Sequence, residues 1–408
     1  MVFELFLGKR YLKAKRKQAF ISIITIISVI GVMVGVMALI VVLSVMNGFH
    51  EDLKSKMLGV NSHLQIRSYE GEIRDYKEII QDISGAEGVV AMTPFILSQV
   101  MVDNLGHASG AIFKGIDTRS AGSVTDIESM ITEGFLSSLD ERKDGLPGIV
   151  IGKELARQLS ALPGDILTII SPRGKLTPLG RTPNSQKFIV TALFNSGMLE
   201  YDVSMAYVSL ENAQEFMGIP DRITGIEIKV SELENADLIG LSLQEKLGYP
   251  FWMQDWKARN SSFYSALELE KLVMEIILAM IVLVAALNII SSLVMIVMEK
   301  GRDVAILRTM GASRLSIMTI FVFQGTLVGV IGTIVGMFSG LGICHLIANY
   351  WHIEIPTDFY GLTTLPVLVK PMDVMFVTVA AIIISFFATI YPSWYASQLN
   401  PVETLRYE

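Results

Sequence analysis

A single cysteine and five histidines leave this 408-residue chain short of the side chains that staple small folds and hold catalytic metals. Cys344 has no intramolecular partner, so an internal disulfide is excluded. His50 and Glu51 begin an H-E-x-x-H pattern, but Lys54 stands where the second histidine is required. A P-loop is missing too. Gly8-Lys9, Gly152-Lys153 and Gly174-Lys175 all lack the upstream glycine of G-x-x-x-x-G-K-[ST], so no backbone cradle for phosphates is formed. Nor is there a positive surplus: 33 Lys and Arg stand against 40 Asp and Glu, a net of −7, which argues against nucleic acid as a partner. Neither an enzyme nor a bound cofactor is expected of this chain, and any energy it uses must come from outside.

Long apolar runs are present. Gln18 to Phe49, Ile276 to Met298, Leu315 to Asn349 and Val374 to Val402 contain no Lys, Arg, Asp or Glu, and each exceeds the ~20 residues that cross a bilayer. The first is too long for a signal-peptide core and ends without a small-residue cleavage site, so it reads as an uncleaved anchor. Lys9, Arg10, Lys13, Lys15, Arg16 and Lys17 precede it, and Lys300, Arg302, Arg308 and Arg314 fall between runs two and three. Basic residues beside spans stay in the cytoplasm, which puts both termini inside.

The expected fold is therefore an α-helical membrane protein with four transmembrane helices and a large exported domain between helices 1 and 2. Its parts are a basic cytoplasmic segment 1–18, helix 1 at 19–48, the domain at 49–270, helix 2 at 271–298, a cytoplasmic loop 299–314, helix 3 at 315–349, an exported loop 350–373, helix 4 at 374–396 and a cytoplasmic tail 397–408. The exported part is acidic, with 32 acidic and 21 basic residues between Asn47 and Glu275. It reads as mixed α+β. Strands are expected at His63–Ser68, Val89–Val102, Ile166–Ile170, Lys187–Phe194 and Ile223–Val230, and helices at Glu72–Ile83, Gly152–Leu159, Leu210–Met217 and Ala236–Leu247. The first apolar run is longer than the bilayer requires, and Asp255–Glu275 is rich in helix formers, so helices 1 and 2 are both expected to project from the membrane on the exported side.

Three local signals stand out. Gly325 and Gly329, then Gly332, Gly336 and Gly340, repeat every four residues along run three and allow close helix approach, either in a sliding dimer contact or in ordinary packing. Glu299–Ser313 reads as a short amphipathic helix stopped by Gly311, with Val304, Leu307, Ile306 and Met310 available to one face, for a membrane surface or a partner's groove. Residues 172–183 hold three prolines, three basic residues and no acid, which makes a stiff, positive hairpin between two strands. On an acidic domain such a finger suits docking, or is simply solvated.

The loop 299–313, the glycine-rich third run and the ending Asn400-Pro401-Val402-Glu403-Thr404-Leu405-Arg406 resemble the permease superfamily that includes FtsX and MacB, the type VII ABC transporters. More closely, Gly35 to Leu39 with Ser44 to Phe49, and Ala286 to Val294 in run two, resemble the lipoprotein-releasing permeases LolC and LolE. The resemblance covers essentially the whole chain. It implies two such permeases in the inner membrane of a Gram-negative cell, this chain with a LolE-like partner or a second copy of itself, and a LolD-like ATPase dimer that carries ATP and Mg. Acylated lipoproteins would be lifted from the outer leaflet and passed to a LolA-like periplasmic carrier. The loop would be the coupling helix on the ATPase, through Arg302, Asp303, Ile306, Leu307, Arg308, Met310 and Gly311. Residues 172–183 are similar to the LolC Hook, matching at Pro172, Thr177, Pro178, Gly180, Arg181 and Pro183, with Arg173 and Lys175 adding charge.

Such a task needs greasy shelter. Exposing a triacyl anchor of ~45 methylenes to water would cost roughly 35 kcal/mol at ~0.8 kcal/mol per methylene. Leu43, Met46 and Phe49 on helix 1, with Leu267, Leu272, Ile276 and Met280 on helix 2, are expected to line the lipoprotein cavity between the two permeases and to meet membrane lipids. Two other roles come with the superfamily: a MacB-type mechanotransmission efflux permease, and an FtsX-type scaffold regulating cell-wall hydrolases. The absence of a fused ATPase, the Hook-like finger and the domain's size argue for lipoprotein release.

Overall fold

The computed structural model describes residues 19–177, 180–350 and 365–398, with the side chains of 19–22 and 173–182 outside the description. The basic N-terminal segment, Pro178 of the hairpin, most of the exported loop and the end of the tail also lie outside it. The chain divides into two compact units, one of residues 1–51, 266–354 and 364–408, the other of 52–265 and 355–363.

Four helices of the first unit are long and apolar enough to cross a membrane: α1 (Ala19–Val60), α7 (Ser261–Glu299), α9 (Arg314–Asn349) and α10 (Pro371–Gln398). A short helix, α8 (Gly301–Thr309), joins α7 to α9. The glycine ladder of α9 divides between two neighbours within this chain. Gly329 packs on Ser385 and Gly325 on Thr389 of α10, whereas Gly332, Gly336 and Gly340 meet Val32, Val36 and Ile40 of α1. Each glycine thus brings two backbones within reach of each other, which is how packing substitutes for a hydrophobic driving force in lipid. A Cβ at Gly336 would lie 2.7 Å from the Met33 carbonyl oxygen, whereas one at Gly342 meets nothing within 4 Å.

The second unit is a mixed sheet of eleven strands with helices packed on it. In chain order it holds β1 (Leu64–Ser68), α2 (Tyr76–Ile83), β2 (Val89–Asn104), β3 (His107–Ile116), β4 (Ile131–Glu133), β5 (Arg142–Lys143), β6 (Leu146–Gly152), α3 (Lys153–Leu159), β7 (Ile166–Thr177), β8 (Gly180–Phe194), α4 (Leu199–Ser204), β9 (Met205–Ser209), α5 (Leu210–Met217), β10 (Gly225–Val230), α6 (Ala236–Leu247) and β11 (Phe251–Asp255), with short helical turns between them. The expected helices at 210–217 and 236–247 have these bounds. α2 differs, starting at Tyr76 rather than Glu72, because Ile73 is drawn into a bridge with Ile223 and Asp75 takes a left-handed conformation at φ 50°.

Six strands close on themselves. β2 pairs β3, β3 pairs β9, β9 pairs β6, β6 pairs β8, β8 pairs β7, and β7 returns to β2 through Val102 and Ile169. Closure removes the unpaired edges an open sheet would leave. Phe113 of β3, Phe188 of β8 and Phe216 of α5 pack edge-on with centroids 5.2–5.8 Å apart, all buried. Their spacing suits the aromatic quadrupole.

One buried charge cluster interrupts the apolar interior. The Lys114 ammonium donates to Glu227 at 2.9 Å and Gln65 donates to the same oxygen at 3.0 Å, with Lys114 and Glu227 5% and 2% exposed. Glu227 also faces Arg67 and Arg259, whose guanidinium pKa values are lowered by burial and supported by that carboxylate. Removing one partner of such a group leaves charge uncompensated.

Glu227→Gln is expected to cost about 3–5 kcal/mol in urea unfolding, because it strips the anion from Lys114, Arg67 and Arg259; an unchanged midpoint would remove this cluster's structural role. In the membrane unit, Gly336→Leu should lower the melting temperature sharply in detergent while Gly342→Leu leaves it nearly unchanged, since only the first position faces a neighbouring backbone.

Candidate functional site

Helix α7 carries the most conspicuous surface. Only Ile289, Leu293, Ile296 and Val297 of its 39 residues are buried, against twelve of 36 in α9. Leu269, Leu272, Val273, Ile276, Met280, Leu283 and Leu287 recur at three- and four-residue spacing and are exposed, Met280 at 61%. That is one continuous apolar face of the helix with no partner among the described residues.

The seven residues expected to line a cavity between two permeases lie on different surfaces of the single chain. Leu272, Ile276 and Met280 belong to the exposed face, whereas Met46, Phe49 and Leu267 are half-buried. Of the seven, Leu43 lines an apolar slot of about 450 Å³ among α1, α7 and α10. Two acids at this slot, Glu275 and Asp373, escaped the sequence reading. They sit at the ends of uncharged runs, where an acid reads as a span boundary and nothing in one-dimensional spacing brings the two together.

The connecting helix α8 is held to its own unit. Val304, with half-buried Leu307 and Ala312, packs with Ile24 of α1, Ile296 and Val297 of α7, Ile317 and Phe321 of α9 and Ala396 of α10. The face expected for a partner is therefore divided: Val304 and Leu307 turn inward, whereas Ile306 and Met310 are 43% and 79% exposed. Arg302 is on the exposed side too. Asp303 accepts from Lys300, the residue that caps the same helix, at 3.0 Å, whereas Arg308 donates to the Ser397 carbonyl at 3.4 Å and so helps fasten the helix to α10.

Its end is sharply defined. Gly311 takes φ 97°, its N–H donates to Arg308 O at 3.1 Å, and the Ala312 N–H donates to Leu307 O at 3.0 Å. These are the two bonds of a Schellman motif, with Ala312 and Leu307 in the accompanying apolar contact. Ser313 then caps α9 by accepting from the Ser316 N–H at 3.1 Å.

In the second unit β7 and β8 form a hairpin whose ladder runs from Ile166 opposite Ile189 to Thr177 opposite Gly180, with a shift between Ser171 and Lys175. The inner part of this ladder belongs to the closed six-strand ring, so the finger grows from a base that has no free edge. Pro172 and Pro183, where the finger begins, are both exposed. Thr168, on the ring side, pairs with Lys187 and Asp103 across the two neighbouring strands.

Known proteins match this arrangement along its length. A family model for the MacB-like periplasmic core domain matches residues 25–245, and one for the FtsX-like permease C-terminal region matches residues 275–401. The lipoprotein-releasing system transmembrane protein LolC of Xylella fastidiosa is 34% identical over 98% of both chains, and that of Neisseria meningitidis is 34% identical over 99% of both. The LolE of Haemophilus influenzae is 29% identical over 98% of both chains, and the LolC of the same organism 28% over 99%.

The packing of α8 yields an expectation for single cysteines. Ile306→Cys and Met310→Cys should react quickly with a maleimide in the folded protein, while Val304→Cys and the buried native Cys344 react at least about tenfold more slowly, as local opening must come first. Equal rates at 304 and 310 would contradict this placement of the helix.

Proposed function

We propose, from the premise that this chain belongs to the LolC and LolE family of lipoprotein-releasing system transmembrane proteins, that it is the permease subunit of an ATP-driven complex that extracts acylated proteins from the inner membrane. The observation that carries this reading is likeness over the full length, both units included. On this proposal the protein is a multi-pass inner-membrane protein of a Gram-negative bacterium, with both termini cytoplasmic and the eleven-stranded unit in the periplasm between helices 1 and 2.

The exposed face of α7 is the element that meets the lipid anchor or the second permease. Its apolar residues shelter acyl chains that would be prohibitively costly in water, and Met280 offers a flexible thioether to chains of varied shape. Half-buried Met46, Phe49 and Leu267 extend this lining, with Leu43 behind them. ATP-driven closure of two such surfaces would press the anchor out. The second permease is a LolE-like chain or another copy of this one, and the near-equal likeness to LolE and LolC of one organism favours a chain able to serve in both positions.

Coupling falls to α8. The separate ATPase, which carries ATP and Mg, would seat Ile306, Met310, Arg302, Asp303 and Gly311 in its groove, while Leu307 and Arg308 hold the helix to the bundle. Delivery falls to the hairpin at 172–183. Its Arg173, Lys175 and Arg181 supply the positive charge that steers an acidic carrier surface, Pro172, Pro178 and Pro183 stiffen it, and Thr177 and Gly180 flank its tip.

These assignments separate in two assays on the reconstituted complex. Replacing Pro178 and Arg181 together should abolish carrier capture and leave ATP hydrolysis intact, whereas Ile306→Glu with Met310→Glu should abolish stimulated hydrolysis and leave capture intact. Met280→Asp should cut lipoprotein release from vesicles at least about tenfold, given the cost of a charge against hydrocarbon. Release at the normal rate in that variant would exclude the α7 face as the lipid path.

A further inference from the structure

We propose that the slot among α1, α7 and α10 binds one acyl chain of an aminophospholipid, with the lipid's ammonium group held between Glu275 and Asp373. This site lies on the other side of α7 from Ile276 and Met280, and of the residues assigned to the lipoprotein anchor only Leu43 lines it.

The slot's walls are hydrocarbon, including Val36, Leu39, Val282, Ala286, Phe376 and Ile384. Such a lining selects against a water-soluble ligand and for a lipid tail. Its length fits. From Asp373 to Ser385 along α10 the lining covers roughly 18 Å at ~1.5 Å per residue, close to the ~15 Å of one leaflet's hydrocarbon.

Both carboxylates are at the same end. Gly31 meets Asn288 and Gly35 meets Ala285, which fixes α1 and α7 antiparallel, and Asn47, further along α1, donates to an Asp373 oxygen at 2.6 Å. Glu275 lies before Ala285 on α7 and is therefore at the level of the later turns of α1, beside that pair. On the proposed topology this is the periplasmic end, at headgroup depth in the outer leaflet.

No lysine or arginine lines the slot among the described residues. Lys271 and Lys370, about one turn before Glu275 and Asp373, form no ion pair with them among the described residues, and two acids so placed repel an anionic headgroup and attract a cation. A primary ammonium can both neutralise the pair and donate hydrogen bonds to it, whereas a quaternary choline has no N–H to give. The chemistry thus ranks phosphatidylethanolamine above phosphatidylcholine, and phosphatidylcholine above phosphatidylglycerol.

The test is native mass spectrometry of the purified full-length complex, exchanged into detergent with equal amounts of these three phospholipids. The wild type should retain one phosphatidylethanolamine per chain, at least about fivefold over phosphatidylglycerol. Glu275→Gln with Asp373→Asn should bring that ratio close to one without loss of the assembled complex. Ala285→Phe with Ala381→Phe, which fills the slot, should lower retention of all three lipids. Equal retention of ethanolamine and glycerol lipids by the wild type, an unchanged ratio in the carboxamide variant, or a retained mass belonging to an acylated peptide would each overturn the site. Should the filled variant fail to assemble, the headgroup ratio in the carboxamide variant still decides.

Discussion

Backbone-to-backbone approach along α9 is the constraint on which the membrane unit depends. Without a hydrophobic drive inside lipid, helices associate through packing and polar contacts, and both improve when a missing side chain lets them close. α9 spends five glycines on this, two toward α10 and three toward α1. The helix with the glycines becomes the hub. α7, which has none among residues 261–299, is left at the margin with most of its surface uncovered.

That asymmetry shapes the proposed division of labour. A helix that buried its apolar face against its own bundle could not offer it to cargo or to a second permease. The second unit follows the opposite logic. Six strands of its sheet close into a ring and hide its aromatic core, and β7 and β8 run on from that ring past exposed Pro172 and Pro183 into the hairpin. Stability and recognition are thus kept on different residues in both units, by open packing in one and by edge closure in the other.

Much of this was legible in the sequence, for identifiable reasons. Uncharged runs of more than 20 residues have few alternatives to a membrane helix, and the glycine after Met310 marks the end of α8 because few other residues tolerate its backbone conformation. The finger was visible through Pro172, Pro178 and Pro183. What escaped depends on contacts distant in the chain. Closure of six strands rests on the pairing of Val102 with Ile169, and a local pattern of alternation carries no register. The inward turn of Val304 and Leu307 escaped as well, because an amphipathic stripe states that one side is greasy without stating what it meets. The pairing of Glu275 with Asp373 spans almost a hundred residues, and neither acid is unusual in its own neighbourhood.

Only Met310, Gly311, Ala312 and Ser313 separate the last residue of α8 from the first of α9, and hydrogen bonds occupy most of that stretch. The junction therefore behaves as a crank with no backlash. A thrust delivered to the exposed edge of α8 has no slack segment in which to dissipate, and it reaches the foot of the glycine-bearing hub as a tilt. The stroke available at the far end is then set by the length of α9, about 54 Å at ~1.5 Å per residue, so a few degrees at the base become a displacement of several ångströms at the other membrane surface.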